Sequence, residues 1–140
     1  MSIKQLNPYL IFDGTAEQAI RLYESALGAK TETVQRFSEV PGAKSDSPSK
    51  DRVMHALLHI GAGVVMIGDC MPGSPPVTAG SVHICLQFDD EAEMTQKFEA
   101  LAATGKVDMA PHDTFWGAKF GTLTDAHGVS WMFNCDKKKA

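Results

Sequence analysis

Hydrophobic and polar residues alternate along this chain with two different periods, and the order in which the periods change occurs twice. Leu6 to Phe12 alternates with period two and predicts a strand that stops at Asp13-Gly14. Ala16, Ala19, Ile20, Tyr23 and Leu27 then recur at helical spacing, with Thr15 and Gln18 as a capping-box pattern at the start and Gly28 as the stop. Thr31 to Phe37, Val53 to Ile60 and Val64 to Ile67 read as strands, the last two joined by a tight turn at Gly61-Ala62-Gly63. The polar stretch from Ser38 to Arg52 is too long and too rich in turn formers for a simple hairpin, and predicts a mobile loop or lid.

The same order returns after Met71-Pro72-Gly73-Ser74-Pro75-Pro76. Val82 to Phe88 predicts a strand, Asp90 and Glu93 a cap, and Ala92, Phe98, Leu101 and Ala102 a buried helix face ended by Gly105. Lys106 to Met109 and Lys119 to Thr124 read as strands, and Ala126-His127-Gly128 turns into a last one, Val129 to Asn134. Phe12-Asp13-Gly14-Thr15-Ala16-Glu17 is matched by Phe88-Asp89-Asp90-Glu91-Ala92-Glu93, 76 positions on, and Leu58…Gly63-Val64 by Leu123…Gly128-Val129, 65 positions on. Repetition at this scale implies a pseudo-symmetric α+β fold. We expect two tandem β-α-β-β-β modules, residues 3–70 and 81–135 with a linker at 71–80, closing into one eight-stranded open cup with its helices outside.

Strand parity assigns the faces. Pro8, Leu10 and Phe12, with Ile84, Leu86 and Phe88, are apolar enough to lie under the helices, as are Ala56, Leu58 and Ile60. The opposite parity carries Asn7, Tyr9 and Ile11, then His83, Cys85 and Gln87, then His55, Leu57 and His59, then Phe120, Thr122 and Thr124. A sheet face so rich in imidazole, amide, hydroxyl and aromatic groups suits a ligand cavity. Trp116, between Phe115 and Gly117 in a loop, either plugs the cup floor or offers a stacking face to a planar ligand, and Asp113 is expected to orient that loop as an Asx turn. His55 and His59 share a face but stand roughly 13 Å apart, too far to hold one ion together.

The remaining features narrow the function by exclusion. A net charge of −4 gives no electrostatic reason to expect nucleic acid, and no apolar run approaches the length of a membrane span. Met1-Ser2-Ile3-Lys4-Gln5 lacks the apolar stretch of a signal peptide, so a cytoplasmic location is expected. Cys70, Cys85 and Cys135 are an odd number without CxxC spacing, as reduced thiols would be, and no cation stands beside Cys85 to activate it. There is no dinucleotide fingerprint, P-loop, nucleophile elbow or S-adenosylmethionine motif.

Three segments carry a resemblance: Pro8-Tyr9-Leu10-Ile11-Phe12-Asp13-Gly14 with Ala19…Tyr23, then Met54-His55-Ala56-Leu57, and above all Asp113-Thr114-Phe115-Trp116-Gly117-Ala118-Lys119-Phe120-Gly121 with Leu123-Thr124-Asp125…Gly128-Val129…Trp131-Met132-Phe133-Asn134. The chain resembles the vicinal oxygen chelate superfamily, which includes glyoxalase I, extradiol dioxygenases and the fosfomycin- and bleomycin-resistance proteins, and within it the PhnB-like branch. The resemblance implies a divalent ion held by one residue from the first and one from the last strand of each module, usually His or Gln and Glu. Those positions fall on or beside Asn7, Ile67, His83 and Met132, and among them only His83 is a good ligand.

Two function classes follow from the resemblance. The first is a protein that binds a small metabolite through Asn7, Tyr9, His55, His83, Trp116 and Phe120, without a metal or other cofactor. The second is a metal-dependent lyase or dioxygenase of glyoxalase type, with an atypical ion site at His83 and Asp69. Relatives of this kind commonly dimerise, and a homodimer is expected.

Overall fold

The computed structural model describes residues 3, 5–39, 50–70 and 82–137. Most of the expected lid, and the linker, lie outside these residues. The chain forms two compact units, Met1–Val77 and Thr78–Ala140, each with, among the described residues, a four-stranded open sheet and one α-helix.

The first unit runs β1 (Tyr9–Phe12), α1 (Ala16–Leu27), β2 (Lys30–Arg36), β3 (Val53–Ile60) and β4 (Gly63–Asp69), with a single 3-10 turn at Phe37–Glu39. Its sheet order is β1-β4-β3-β2, with β1 parallel to β4 and the other pairs antiparallel. Helix α1 buries the predicted stripe of Ala16, Ala19, Ile20, Tyr23 and Leu27, together with Ala26, against Leu58, Val65 and Ile67 of the sheet's inner side. It ends at Gly28, whose φ of 71° is left-handed, and the N–H groups of Gly28 and Ala29 both close back on the Tyr23 carbonyl.

The start of α1 departs from the capping box read in the sequence. Thr15 makes no side-chain cap. The cap comes instead from the far end of β4, where Asp69 Oδ1 accepts the N–H groups of Gly14 at 2.8 Å and Ala16 at 3.0 Å. Asp69 Oδ2 accepts the N–H of Val53 at 3.0 Å, so one buried carboxylate joins the helix start, β3 and β4.

The second unit repeats the order as β5 (Ile84–Phe88), α2 (Glu91–Ala102), β6 (Lys106–Asp113), β7 (Ala118–Thr124) and β8 (Ser130–Asp136), with sheet order β5-β8-β7-β6. Here the local cap is as predicted: Asp90 Oδ1 accepts the N–H groups of Ala92 and Glu93. The buried face is Met94, Phe98 and Leu101, and Ala92 is exposed. Met94 and Phe98 are one helical step apart, whereas Ala92 is two residues before Met94 and falls on the other side. Strand β6 continues to Asp113 through Pro111, beyond the predicted end at Met109, because it is an edge strand with register slips, where a missing N–H is tolerated. The core is aromatic: Phe133 stacks on Phe88 at 5.7 Å and meets Phe98 edge-on at 5.1 Å. Trp131 is wholly buried and donates its indole N–H to Asp125 Oδ2 at 2.8 Å.

The registers bear out the internal repeat. Phe12 pairs with Asp69 as Phe88 pairs with Cys135, and Leu58 with Val65 as Leu123 with Trp131.

Candidate functional site

The helix-free face of each sheet carries the polar parity predicted from sequence. In the first unit, Tyr9 and Ile11 are exposed on β1 while Phe12 is buried, and His55, Leu57 and His59 are half-buried on β3 while Ala56 and Leu58 are buried. Asn7 Nδ2 donates to the Val64 carbonyl at 3.3 Å, which fixes the chain just before β1 against β4. Tyr9 and His55 come together, with ring centroids 5.7 Å apart, Tyr9 Oη 3.2 Å from the Met54 carbonyl and 3.3 Å from His55 Nδ1. Gly68 makes this possible. A Cβ there would lie 2.8 Å from the Met54 carbonyl oxygen and 3.1 Å from Tyr9 Oη, so the phenol crosses β4 where a side chain is missing. The signal in the sequence for this close approach is Gly68 itself, which lies one residue past the predicted strand end at Ile67. His59 stands 3.5 Å from Glu32.

In the second unit a continuous row crosses the sheet: His112 on β6, Phe120 on β7, Asn134 on β8 and Gln87 on β5. Trp116 packs edge-to-face on Phe120 at 5.7 Å and keeps 53% of its surface exposed, while Phe115, 5.0 Å from Trp116, is 97% exposed. Asn134 Nδ2 donates to Gln87 Oε1 at 2.8 Å and to Asp136 Oδ1 at 3.2 Å, an amide chain that the sequence reading did not single out. His83 is exposed just ahead of β5. Asn7, Tyr9 and His55 thus belong to the first unit, and His83, Trp116 and Phe120 to the second.

The Trp116 turn is held otherwise than the expected Asx turn. Thr114 Oγ1 donates to the Ala118 carbonyl and accepts the Ala118 N–H, and the Thr114 N–H closes on the same carbonyl at 2.8 Å. Asp113 instead meets the Lys137 ammonium at 2.7 Å, which holds its carboxyl below the usual range. All three cysteines are free, and desolvation pushes the Cys85 thiol up, away from nucleophilic use.

With this geometry in view, the comparisons with known proteins give the class. The chain belongs to the glyoxalase/bleomycin resistance protein/dioxygenase superfamily, whose family model matches residues 5–133. It is 34% identical over 143 residues to protein YjdN of Escherichia coli strain K12, covering 96% of this chain and 97% of that protein. The crystal structure of protein PA1353 from Pseudomonas aeruginosa has a TM-score of 0.86 at 38% identity, covering 98% of this chain and all of that one (100%). The PhnB protein from Bacillus cereus shares the fold, with a TM-score of 0.77 at 24% identity over 94% of this chain and 99% of that one.

The superfamily's ion can be tested against the donors present. Tyr9 pairs with Met66 as Cys85 pairs with Met132, which moves the first module's last-strand position from Ile67, buried under α1, to Met66 on the open face. The four positions then offer the amide of Asn7, the imidazole of His83 and the thioethers of Met66 and Met132. Two thioethers in place of carboxylates do not fit the oxygen and nitrogen set of a divalent ion of this kind. Asp69 lies beside Ile67 in the buried layer, and its oxygens already take three backbone N–H groups of its own unit.

Proposed function

We propose that this protein binds a small metabolite through the polar faces of its sheets, as a PhnB-like member of the superfamily, and that it does so without the superfamily's metal ion. The observation that carries the reading is the pair of methionines, Met66 and Met132, at the positions where superfamily metalloenzymes place carboxylates. The first unit's face offers an imidazole and a phenol, and the second unit's face carboxamides and an exposed indole, groups suited to a partly aromatic, partly polar ligand. We further propose a homodimer, and a cytoplasmic site of action; among the described residues no helix is long and apolar enough to cross a membrane.

The test is a thermal-shift screen of the purified protein against a metabolite collection, run with and without a chelator. A compound that raises the melting temperature equally in both, and less in His55→Ala or Trp116→Ala, supports the reading, since a ligand that binds only the native state must stabilise it. A shift that vanishes with the chelator points instead to a metal-dependent lyase or dioxygenase centred on His83.

A further inference from the structure

The Tyr9–His55 contact fixes more than a position. Tyr9 Oη has one hydrogen and lies within hydrogen-bonding distance of two partners, the Met54 carbonyl oxygen at 3.2 Å and His55 Nδ1 at 3.3 Å. The carbonyl can only accept, so both contacts are hydrogen bonds only when the phenol hydrogen goes to the carbonyl. The second contact is then a hydrogen bond only if His55 Nδ1 carries a hydrogen and donates it to the phenol oxygen. Neutral imidazole has one N–H, so Nε2 is left as a bare acceptor. Among the described residues nothing hydrogen-bonds to Nε2, and the ring stands half-exposed on the open face.

We infer that Tyr9, lying in the gap left by Gly68, is a positioning residue that holds His55 as its Nδ1–H tautomer, so that Nε2 accepts a hydrogen bond from a ligand hydroxyl or N–H group. This rests on the ligand-binding reading above and narrows the ligand to one with a donor at that point, an alcohol, phenol or amide rather than a bare carboxylate or ether. The second module cannot repeat the arrangement. The registers place Cys85 where Tyr9 stands, Phe120 where His55 stands and Asn134 where Gly68 stands. The two faces are therefore chemically unequal, with the tuned imidazole only on the first.

The experiment is long-range proton–nitrogen NMR of the histidine side chains in the ligand-free protein at about pH 8, where an imidazole of ordinary pKa is neutral. The His55 signals are assigned by their loss in His55→Gln. The expected result is a pyrrole-type Nδ1 and a pyridine-type Nε2. Tyr9→Phe removes the acceptor while keeping the ring, and should move His55 toward the Nε2–H form. Gly68→Ala should do the same with the phenol still present, because the new methyl displaces it. A pyridine-type Nδ1 in the wild type, or a tautomer unchanged in Tyr9→Phe, overturns the inference; Tyr9→Phe decides the matter if Gly68→Ala fails to fold. Titration with phenol and with anisole then tests the ligand class. Phenol should shift the His55 Nε2 signal and anisole should not; equal responses, or none to phenol, overturn the donor-ligand assignment. The tautomer is read on the free protein, so it stands or falls separately from whether any metabolite binds.

Discussion

Trp131 and Trp116 show how one residue type serves opposite ends. Trp131 is sealed in the core with its N–H on Asp125, a burial that is favourable only because the indole's polar atom has a partner. Trp116 leans on Phe120 and turns half of its surface outward. We expect two emission components, one shielded and one open to acrylamide. Trp116→Phe should remove the quenchable component and leave the shielded one; strong quenching that persists in Trp116→Phe would contradict the burial of Trp131. Both tryptophans stand in the sequence run that resembles the PhnB-like branch. The sequence left open whether Trp116 faces a ligand or plugs the fold, because a loop aromatic beside glycine has no periodicity to assign its face. The contact with Phe120 and the Thr114 clasp show how the ring and its turn are held.

Among the elements, the two helices are capped by unlike means. Helix α2 has a local Asp90 cap, legible because a cap three residues before the acceptor's partner leaves a sequence pattern. Helix α1 is capped by Asp69, 53 positions from Ala16, and no local pattern can show that. Asp69→Ala should therefore cost about 3 kcal/mol, since it strands buried backbone donors. Asp90→Ala should cost about 1 kcal/mol, the usual value of an exposed N-cap. Urea unfolding of the two variants checks the order, and equal losses would contradict the buried role of Asp69. A second link ties α1 to β2: Arg36 lies 2.7 Å from Glu17 and holds its carboxyl below the ordinary value of 4.5. A depressed folded pKa stabilises above the unfolded value and loses that contribution as pH falls through the folded one. Glu17→Gln should thus cost only about 0.5 kcal/mol at neutral pH, as for a solvent-exposed pair. The difference from wild type should close as the pH drops below the ordinary carboxylate range; a gap in urea midpoints that stays constant below that range would show that the pair contributes nothing by its charge.

At the scale of the whole molecule, the repeat was the most legible feature. The offsets seen in sequence reappear as matching sheet orders and registers in the two units. The chemistry of the faces was legible by parity, but the choice between Ile67 and its neighbour Met66 was not, because both are apolar and only the pairing with Tyr9 separates inside from outside. Among the described residues, β2 and β6 are edge strands that carry exposed apolar groups, Val34, Val107 and Met109, and such edges are what self-association would cover. For the proposed homodimer, light scattering at micromolar concentration should give a mass near twice 15.1 kDa. A persistent monomer would remove it.

Binding without the superfamily's ion is the central claim, and melting temperature in the presence of zinc, nickel, manganese or iron(II) tests it most directly. With Met66 and Met132 at the last-strand positions, the account predicts no stabilisation by any of these ions, and the same melting curve for His83→Ala with and without them. A rise of several degrees with one ion, abolished in His83→Ala, would contradict it.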